Sequence, residues 1–173
     1  MVVGKPFLTV EQIQQKNREL ADRISRDYSS SNLLCVGILK GAFVFFSDLV
    51  RLIRVPLTID FLIASSYMKY DTSGEITMHY DVREEIRDKD VLLVEDIVDT
   101  GVTLNYIRER MLVQGPRSLR ICTLLDKKGR RQVDVPIDYV GFEIPNEFVV
   151  GYGLDYDNKF RNLPYISIFK KTA

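Results

Sequence analysis

A chain of 173 residues that is 46% hydrophobic can close one core and bury about two-thirds of its unfolded surface, so a single domain is expected. Its 24 basic and 24 acidic residues cancel, which excludes a general attraction to nucleic acid or anionic lipid. Its apolar runs fall far short of the ~20 residues that cross a bilayer, and the opening MVVGKPF has no signal-peptide core, so a soluble, cytoplasmic protein with no membrane partner is expected.

In chain order, Thr9 and Gln12 form a capping box, and Ile13, Leu20, Ile24 and Tyr28 recur at helical spacing, which predicts an amphipathic helix over 10–28. The run LLCVGIL (33–39) reads as a buried strand, AFVFFSDLVRLI (42–53) as a helix and VPLTIDFLIAS (55–65) as a second strand. The polar segment SSYMKYDTSGEITMHYD (65–81) reads either as a functional loop or, from the alternation in ITMHYDV, as a β-hairpin, and the two are compatible. A strand VLLVE (91–95), a turn, a helix from about Thr103 to Val113 and a strand SLRICTLLD (118–126) follow. Strands alternating with helices predict an α/β fold: a mostly parallel central sheet with helices on both faces. Cys35 and Cys122 lie in apolar runs without metal spacing, so buried free thiols are expected. The single histidine, His79, excludes His-based triads and is expected in a partly exposed loop.

In such sheets ligands sit beyond the carboxyl ends of the strands. Three segments converge there: LKG after the first strand, EDIVDTG after the third and LDKKGRR after the fourth. In EDIVDTGVT, Thr100 and Gly101 let successive backbone amides turn toward one point ahead of a helix N-terminus, which favours an anion, and Thr100 and Thr103 add hydroxyls. No lysine lies in the turn, so it is not a Walker loop. Glu95 and Asp96, expected at the strand end, suit a ribose diol or a divalent cation. A sugar phosphate carries both kinds of group, and it reconciles two acids with a phosphate cradle.

The thirteen residues VLLVEDIVDTGVT resemble the phosphoribosyl-diphosphate (PRPP) motif of the type I phosphoribosyltransferases, in a spelling most similar to the 6-oxopurine branch, the hypoxanthine-guanine phosphoribosyltransferases. VGILKGAFVFFSDL, LLDKKGR and GFEIPNEFVVGYGLDYDNKFRNLPY match further motifs, so the resemblance runs from about Leu33 to Ile168. It implies a small hood from the chain ends, with base binding mainly in 127–173. It implies that Glu95, Asp96, Asp99, Thr100, Gly101, Val102 and Thr103 surround the ribose 5-phosphate. Lys40 and Gly41, beyond a Leu39–Lys40 peptide that is cis in the family, would meet the diphosphate with Ser66 and Tyr67 of a mobile lid (66–81) and with Arg161. Lys127, Phe148, Val149 and Asp155 would form the purine site, with Lys127 on the exocyclic oxygen and Phe148 stacked on the base. Asp155, with Glu95 and Asp96 nearby, would hold Mg2+, and Asp99, beside purine N7, would be catalytic. Arg131 matches a basic family position for which diphosphate binding and a subunit contact are both open.

Taken singly, these residues have plainer readings: Lys40-Gly41 as a strand-to-helix turn, Phe148 as core, Asp155 and Arg161 as solvated charges. The sequence departs from the family at Val102, where relatives often carry lysine, and at LDKKGR, where alignment back from GFEIP selects Lys127 over Lys128. The expected activity is transfer of 5-phosphoribosyl from PRPP to hypoxanthine or guanine by a homodimer or homotetramer. The rivals are a xanthine-preferring or uracil-preferring relative and an RNA-binding regulator on the same scaffold. The last needs a basic surface, and the only dense cluster is KKGRR at 127–131.

Overall fold

The computed structural model describes residues 2–67 and 75–170; Met1, 171–173 and positions 68–74 of the expected lid lie outside the described residues. Strand β1 (Val2–Leu8) leads into α1 (Val10–Asp27), and Thr9 caps the helix reciprocally with Gln12: Gln12 N donates to Thr9 Oγ1 and Thr9 N donates to the Gln12 side chain. Then come β2 (Leu33–Leu39), α2 (Phe43–Val50), β3 (Leu57–Tyr67), β4 (Glu75–Tyr80), β5 (Asp90–Val98), α3 (Val102–Leu112) and β6 (Ser118–Asp126). A 3₁₀ turn (Lys128–Arg130) leads to β7 (Tyr139–Glu143), and β8 (Val149–Val150) and β9 (Ile166–Lys170) follow.

Six strands form the central sheet in the order β4-β3-β2-β5-β6-β7. All its pairings are parallel except β3 with β4, which is antiparallel and makes the hairpin that the alternation implied. Parallel strands covered on both faces need apolar side chains on both, and β2 and β5 supply them. Leu33, Cys35, Leu92 and Val94 pack with Ile13, Leu20, Ile24, Phe45 and Leu49 of α1 and α2. Their neighbours Leu34, Val36, Val91 and Leu93 pack on the opposite face with Leu104, Ile107 and Met111 of α3. Cys35 and Cys122 are buried free thiols, and burial pushes the Cys35 thiol up to about 12. No helix of the described residues is long and apolar enough to cross a membrane.

Strand order fixes the place of the site. From β2 the chain crosses to β3 on one side, and from the β3–β4 hairpin it returns to β5 on the other, so the connections leaving β2 and β5 diverge at their carboxyl ends. A crevice opens at such a switch point. Over it stands a second sheet, order β1-β9-β8, antiparallel and built from the two ends of the chain. This hood includes β1, which the sequence pattern did not mark as a strand. Tyr152 ties the hood to the helices: its buried hydroxyl accepts from Asn17 Nδ2 and donates to Asp48 Oδ2, each at 2.7 Å.

Several boundaries differ from expectation. Strand β5 continues past Glu95 to Val98, so Glu95 and Asp96 lie within a strand rather than at its end. Pairing with β6 carries it on, with Ile97 in register with Leu125 and Val98 with Asp126. Helix α2 stops at Val50, ahead of Arg54 and Pro56. His79 is exposed but sits in β4, not in a loop, 2.7 Å from Ser65 Oγ on β3.

Replacing Tyr152 by phenylalanine leaves Asn17 and Asp48 without their shared partner. Tyr152→Phe is expected to lower unfolding stability by about 1–3 kcal/mol in urea titrations, the usual cost of orphaning one buried polar group, here Asn17, since Asp48 is open to water.

Candidate active site

Two turns and strand β5 meet in the crevice at distances that glycine permits. A Cβ on Gly41 would fall on the Asp96 carboxylate, and a Cβ on Gly153 would fall on the Gly41 carbonyl oxygen. Gly153 also has φ +101°, in the region that side chains disfavour. The β2–α2 turn is thus pressed against the Asp96 side chain of β5 on one side and against the backbone of the hood on the other. The Leu39–Lys40 peptide at this point is cis. Arg161 braces the hood side: Nη1 donates to the Gly153 carbonyl at 2.7 Å and Nη2 lies 2.6 Å from Asp155 Oδ1. The second Asp155 oxygen accepts from Asn158 N at 2.8 Å.

The anion-favouring turn is well defined. Gly101 is the N-cap of α3 with φ +83°, and a Cβ there would lie 2.5 Å from the Val133 carbonyl oxygen. The first intrahelical bond runs from Asn105 N to Gly101 O, which leaves the amides of the first turn pointing out of the helix end. Val102 N lies 3.4 Å from Thr100 Oγ1, so the hydroxyl faces these amides. Helix α3 begins at Val102, one residue earlier than expected, and its macrodipole adds positive potential. Val102 meets the turn through its backbone.

Glu95 and Asp96 are adjacent acids in a strand lined with apolar residues. Burial raises the Glu95 carboxyl well above the usual carboxylate range, and the neighbouring Asp96 charge raises it further. Burial also raises Asp96, opposed by hydrogen bonds and by the charge of Arg161. Asp96 N donates to Glu95 Oε1 at 3.0 Å and Ile97 N donates to Asp96 Oδ1 at 2.7 Å.

Beside them lies a cavity of about 320 Å³. It brings together six of the predicted residues, Asp96, Asp99, Lys127, Phe148, Val149 and Asp155. Lys127 follows β6; its N donates to the Val98 carbonyl at 3.0 Å, and the residue is only 7% exposed. Its Nζ stands 3.9 Å from Asp99 Oδ2. Lys128, by contrast, turns outward and pairs with exposed Glu143. Phe148 is 51% exposed, with its ring edge-on to Tyr156 and Phe169 and the rest open to the cavity. Val149 is buried on β8 in register with Ile168 and lines the cavity.

Other predicted residues stand around this space. Ser66 and Tyr67 close β3, in register with Ile76 and Glu75, and the remaining lid positions 68–74 lie outside the described residues. Arg131 points inward, to Asp126 and to the Asp99 carbonyl. Arg130, Asn146 and Leu154 also line the cavity and had not been singled out. Arg130 Nε lies 3.0 Å from Asp99 Oδ1, so two cations bracket the Asp99 carboxylate. The cluster KKGRR held that signal, but sequence does not show which of four cations turns inward.

A switch-point crevice with an amide turn for phosphate, paired acids and a hooded cavity is the architecture of the phosphoribosyltransferases. The family model described as phosphoribosyl transferase domain matches residues 7–157, and the chain belongs to that family. Hypoxanthine phosphoribosyltransferase of Salmonella typhimurium is 49% identical over 158 residues, 90% of this chain and 89% of that protein. Hypoxanthine-guanine phosphoribosyltransferase of Staphylococcus aureus is 48% identical over 165 residues, 95% of this chain and 92% of that protein. The crystal structure of a hypoxanthine-guanine phosphoribosyltransferase from Bacillus anthracis superposes with a TM-score of 0.93 at 43% identity, covering 98% of this chain and all of that one. Within the family, the chain therefore falls in the hypoxanthine-guanine branch.

The raised acids have a consequence for the free protein. A carboxyl whose folded pKa exceeds its unfolded value stabilises the fold below the unfolded pKa, and that contribution is lost as pH rises through the folded pKa. Glu95→Gln removes this loss. Its advantage in unfolding free energy over the parent is expected to be larger at pH 8 than at pH 5 in urea titrations, by about 1.4 kcal/mol for each unit of pKa elevation removed. An advantage that shrinks toward pH 8 would contradict the burial of a reluctant acid.

Proposed function

We propose that this chain is a purine salvage enzyme that transfers 5-phosphoribosyl from PRPP to N9 of hypoxanthine or guanine, giving IMP or GMP and diphosphate. The observation that carries the reading is Lys127, buried at the cavity wall beside Asp99, in a space that also holds Phe148. A lysine donates and does not accept, so it selects a purine with an exocyclic oxygen over adenine, whose amino group would leave two donors facing each other in a desolvated site. Phe148 offers its ring to the base and the Val149 backbone meets the base edge. The relatives' names, hypoxanthine and hypoxanthine-guanine phosphoribosyltransferase, support this assignment, and neither the xanthine-preferring nor the RNA-binding reading finds support among them.

The chemistry follows from the groups present. The C1–oxygen bond to diphosphate breaks with its electron pair leaving on oxygen, and the N9 lone pair forms the new bond to C1. The ring nitrogen N7 gives up its proton to the Asp99 carboxylate, which Lys127 and Arg130 hold in place. The Thr100–Thr103 turn anchors the 5-phosphate, Glu95 and Asp96 accept from the ribose hydroxyls, and Lys40, Gly41 and Arg161 face the diphosphate. Ser66 and Tyr67 would begin the cover that excludes water, which competes with the base for C1.

Magnesium fits the donor set. Asp96 and Asp155 border the cavity with hard carboxylate oxygens, and the buried Glu95–Asp96 pair is short of positive charge. Among the described residues no three acidic, histidine or cysteine side chains form a metal cage, so Asp155 with Glu95 and Asp96 would share the ion with substrate oxygens and water, as magnesium prefers. When bound, the ion supplies charge neutralisation for the departing diphosphate. The active unit is proposed to be a cytoplasmic homodimer or homotetramer.

Diphosphate release from PRPP and magnesium, with hypoxanthine, guanine, xanthine, adenine and uracil offered separately, tests the assignment. Release is expected with hypoxanthine or guanine and not with adenine or uracil. Asp99→Asn is expected to lower kcat roughly 10- to 10⁴-fold while the KM for PRPP stays near its parent value, and unchanged turnover would remove Asp99 from the chemistry. Lys127→Ala is expected to impair use of the 6-oxopurine more than binding of PRPP; equal loss of both would count against the contact.

A further inference from the structure

The turn that receives the 5-phosphate is held from behind by residues 131–133. Arg131 is the only side chain in that grip. Its side chain is 17% exposed and its guanidinium forms two bonds, Nη2 to Asp126 Oδ1 at 2.5 Å and Nη1 to the Asp99 carbonyl oxygen at 2.8 Å. Asp126 ends β6, is 2% exposed, and lies in register with Val98 of β5 and Glu143 of β7. It is fixed by the sheet and has no freedom to follow a mobile partner. One residue further on, the Thr100 carbonyl accepts from Gln132 N at 2.9 Å and Val133 N at 3.1 Å.

A trans peptide is planar, with its C=O and N–H pointing in opposite directions. Pinning the Asp99 carbonyl toward Arg131 therefore sends the Thr100 N–H the other way. Pinning the Thr100 carbonyl toward 132–133 does the same for the Gly101 N–H. Both amides then face the open side of the turn. The Thr100 carbonyl is gripped by backbone alone, whereas the Asp99 carbonyl depends on a side chain. Arginine suits this place because its planar fork reaches two acceptors in fixed geometry, which the single ammonium of lysine does not.

We propose that Arg131, anchored on Asp126, is a positioning residue that sets the orientation of the phosphate-binding amides and of Asp99 without itself touching substrate. This rests on the reading of the Asp99–Thr103 turn as the 5-phosphate site. It assigns Arg131 a place distinct from a diphosphate ligand or a subunit contact, and it makes Asp126 part of the same device.

The experiment compares Arg131→Lys, which keeps a charge for Asp126, and the double variant Asp126→Leu/Arg131→Met, which leaves no buried charge unpaired. Calorimetric titration with ribose 5-phosphate and, separately, with inorganic diphosphate and magnesium is run beside steady-state kinetics and thermal melting. Both variants are expected to melt cooperatively, bind ribose 5-phosphate about tenfold more weakly, the scale of one hydrogen bond to a charged group, and keep diphosphate affinity. The KM for PRPP rises more than the KM for the purine, and kcat falls with it because Asp99 shifts. Weakened diphosphate binding with ribose 5-phosphate intact would make Arg131 a direct diphosphate ligand and overturn the proposal. Parent-like values for both ligands in both variants would overturn it as well. A parent protein that binds ribose 5-phosphate but turns over no base refutes the proposed function instead, and the ribose 5-phosphate comparison still decides the role of Arg131.

Discussion

The site depends on a close approach of the β2–α2 turn, strand β5 and the hood. Gly41 lies against the Asp96 carboxylate and Gly153 against the Gly41 carbonyl, so the β2–α2 turn touches β5 through one side chain and the hood through backbone alone. A methyl group at either glycine would separate the layers by more than a densely packed interior tolerates. Because these contacts lie where β2 and β5 diverge, the sheet order decides where the ligand goes and the glycines decide how near its two halves come. Arg161 follows from the same geometry, since it bonds the Gly153 carbonyl while sitting beside Asp155 and within range of Asp96.

Charge is arranged around that point in opposing sets. Glu95 and Asp96 are acids that burial makes reluctant to ionise, whereas Lys127 and Arg130 line the cavity around Asp99, Arg131 braces the turn from behind and Arg161 pairs with Asp155 in the hood. A ligand that brings both hydroxyl donors and phosphate oxygens satisfies both sets at once. Neither a plain phosphate nor a plain sugar does so. The chain is neutral overall, so this sorting of charge is local and leaves no field to draw in other polyanions.

Much of this was legible in the sequence because local signals and tertiary structure agree. The Thr9–Gln12 capping box, the β2 and β5 runs and the DTG turn appear where periodicity and turn chemistry put them. The hood was legible only through resemblance: β8 is two residues long, and β1 contains Gly4 and Pro6, which weaken any strand pattern. The continuation of β5 beyond Glu95 was hidden for another reason. Acids are poor strand formers, and only the parallel pairing with β6 keeps them extended. The inward turn of Arg130 and Arg131, against the outward turn of Lys128, is set by the 3₁₀ turn at 128–130 and by a buried Asp126, neither of which leaves a periodic trace.

The hood joins residues 2–8 to residues 166–170, the first and last strands described. On a ribosome, β2 to β7 can assemble as a sheet while β1 waits without its neighbour, since β9 supplies its pairing. The phosphate turn and its acids thus belong to a part of the chain that can form early, and the Phe148 and Val149 wall matures only when β9 has been translated and emerged. A nascent chain completes the Asp99–Thr103 turn before it completes the Phe148 and Val149 wall. The long sequence separation of the β1–β9 pair makes that closing contact the slowest in loop-entropy terms.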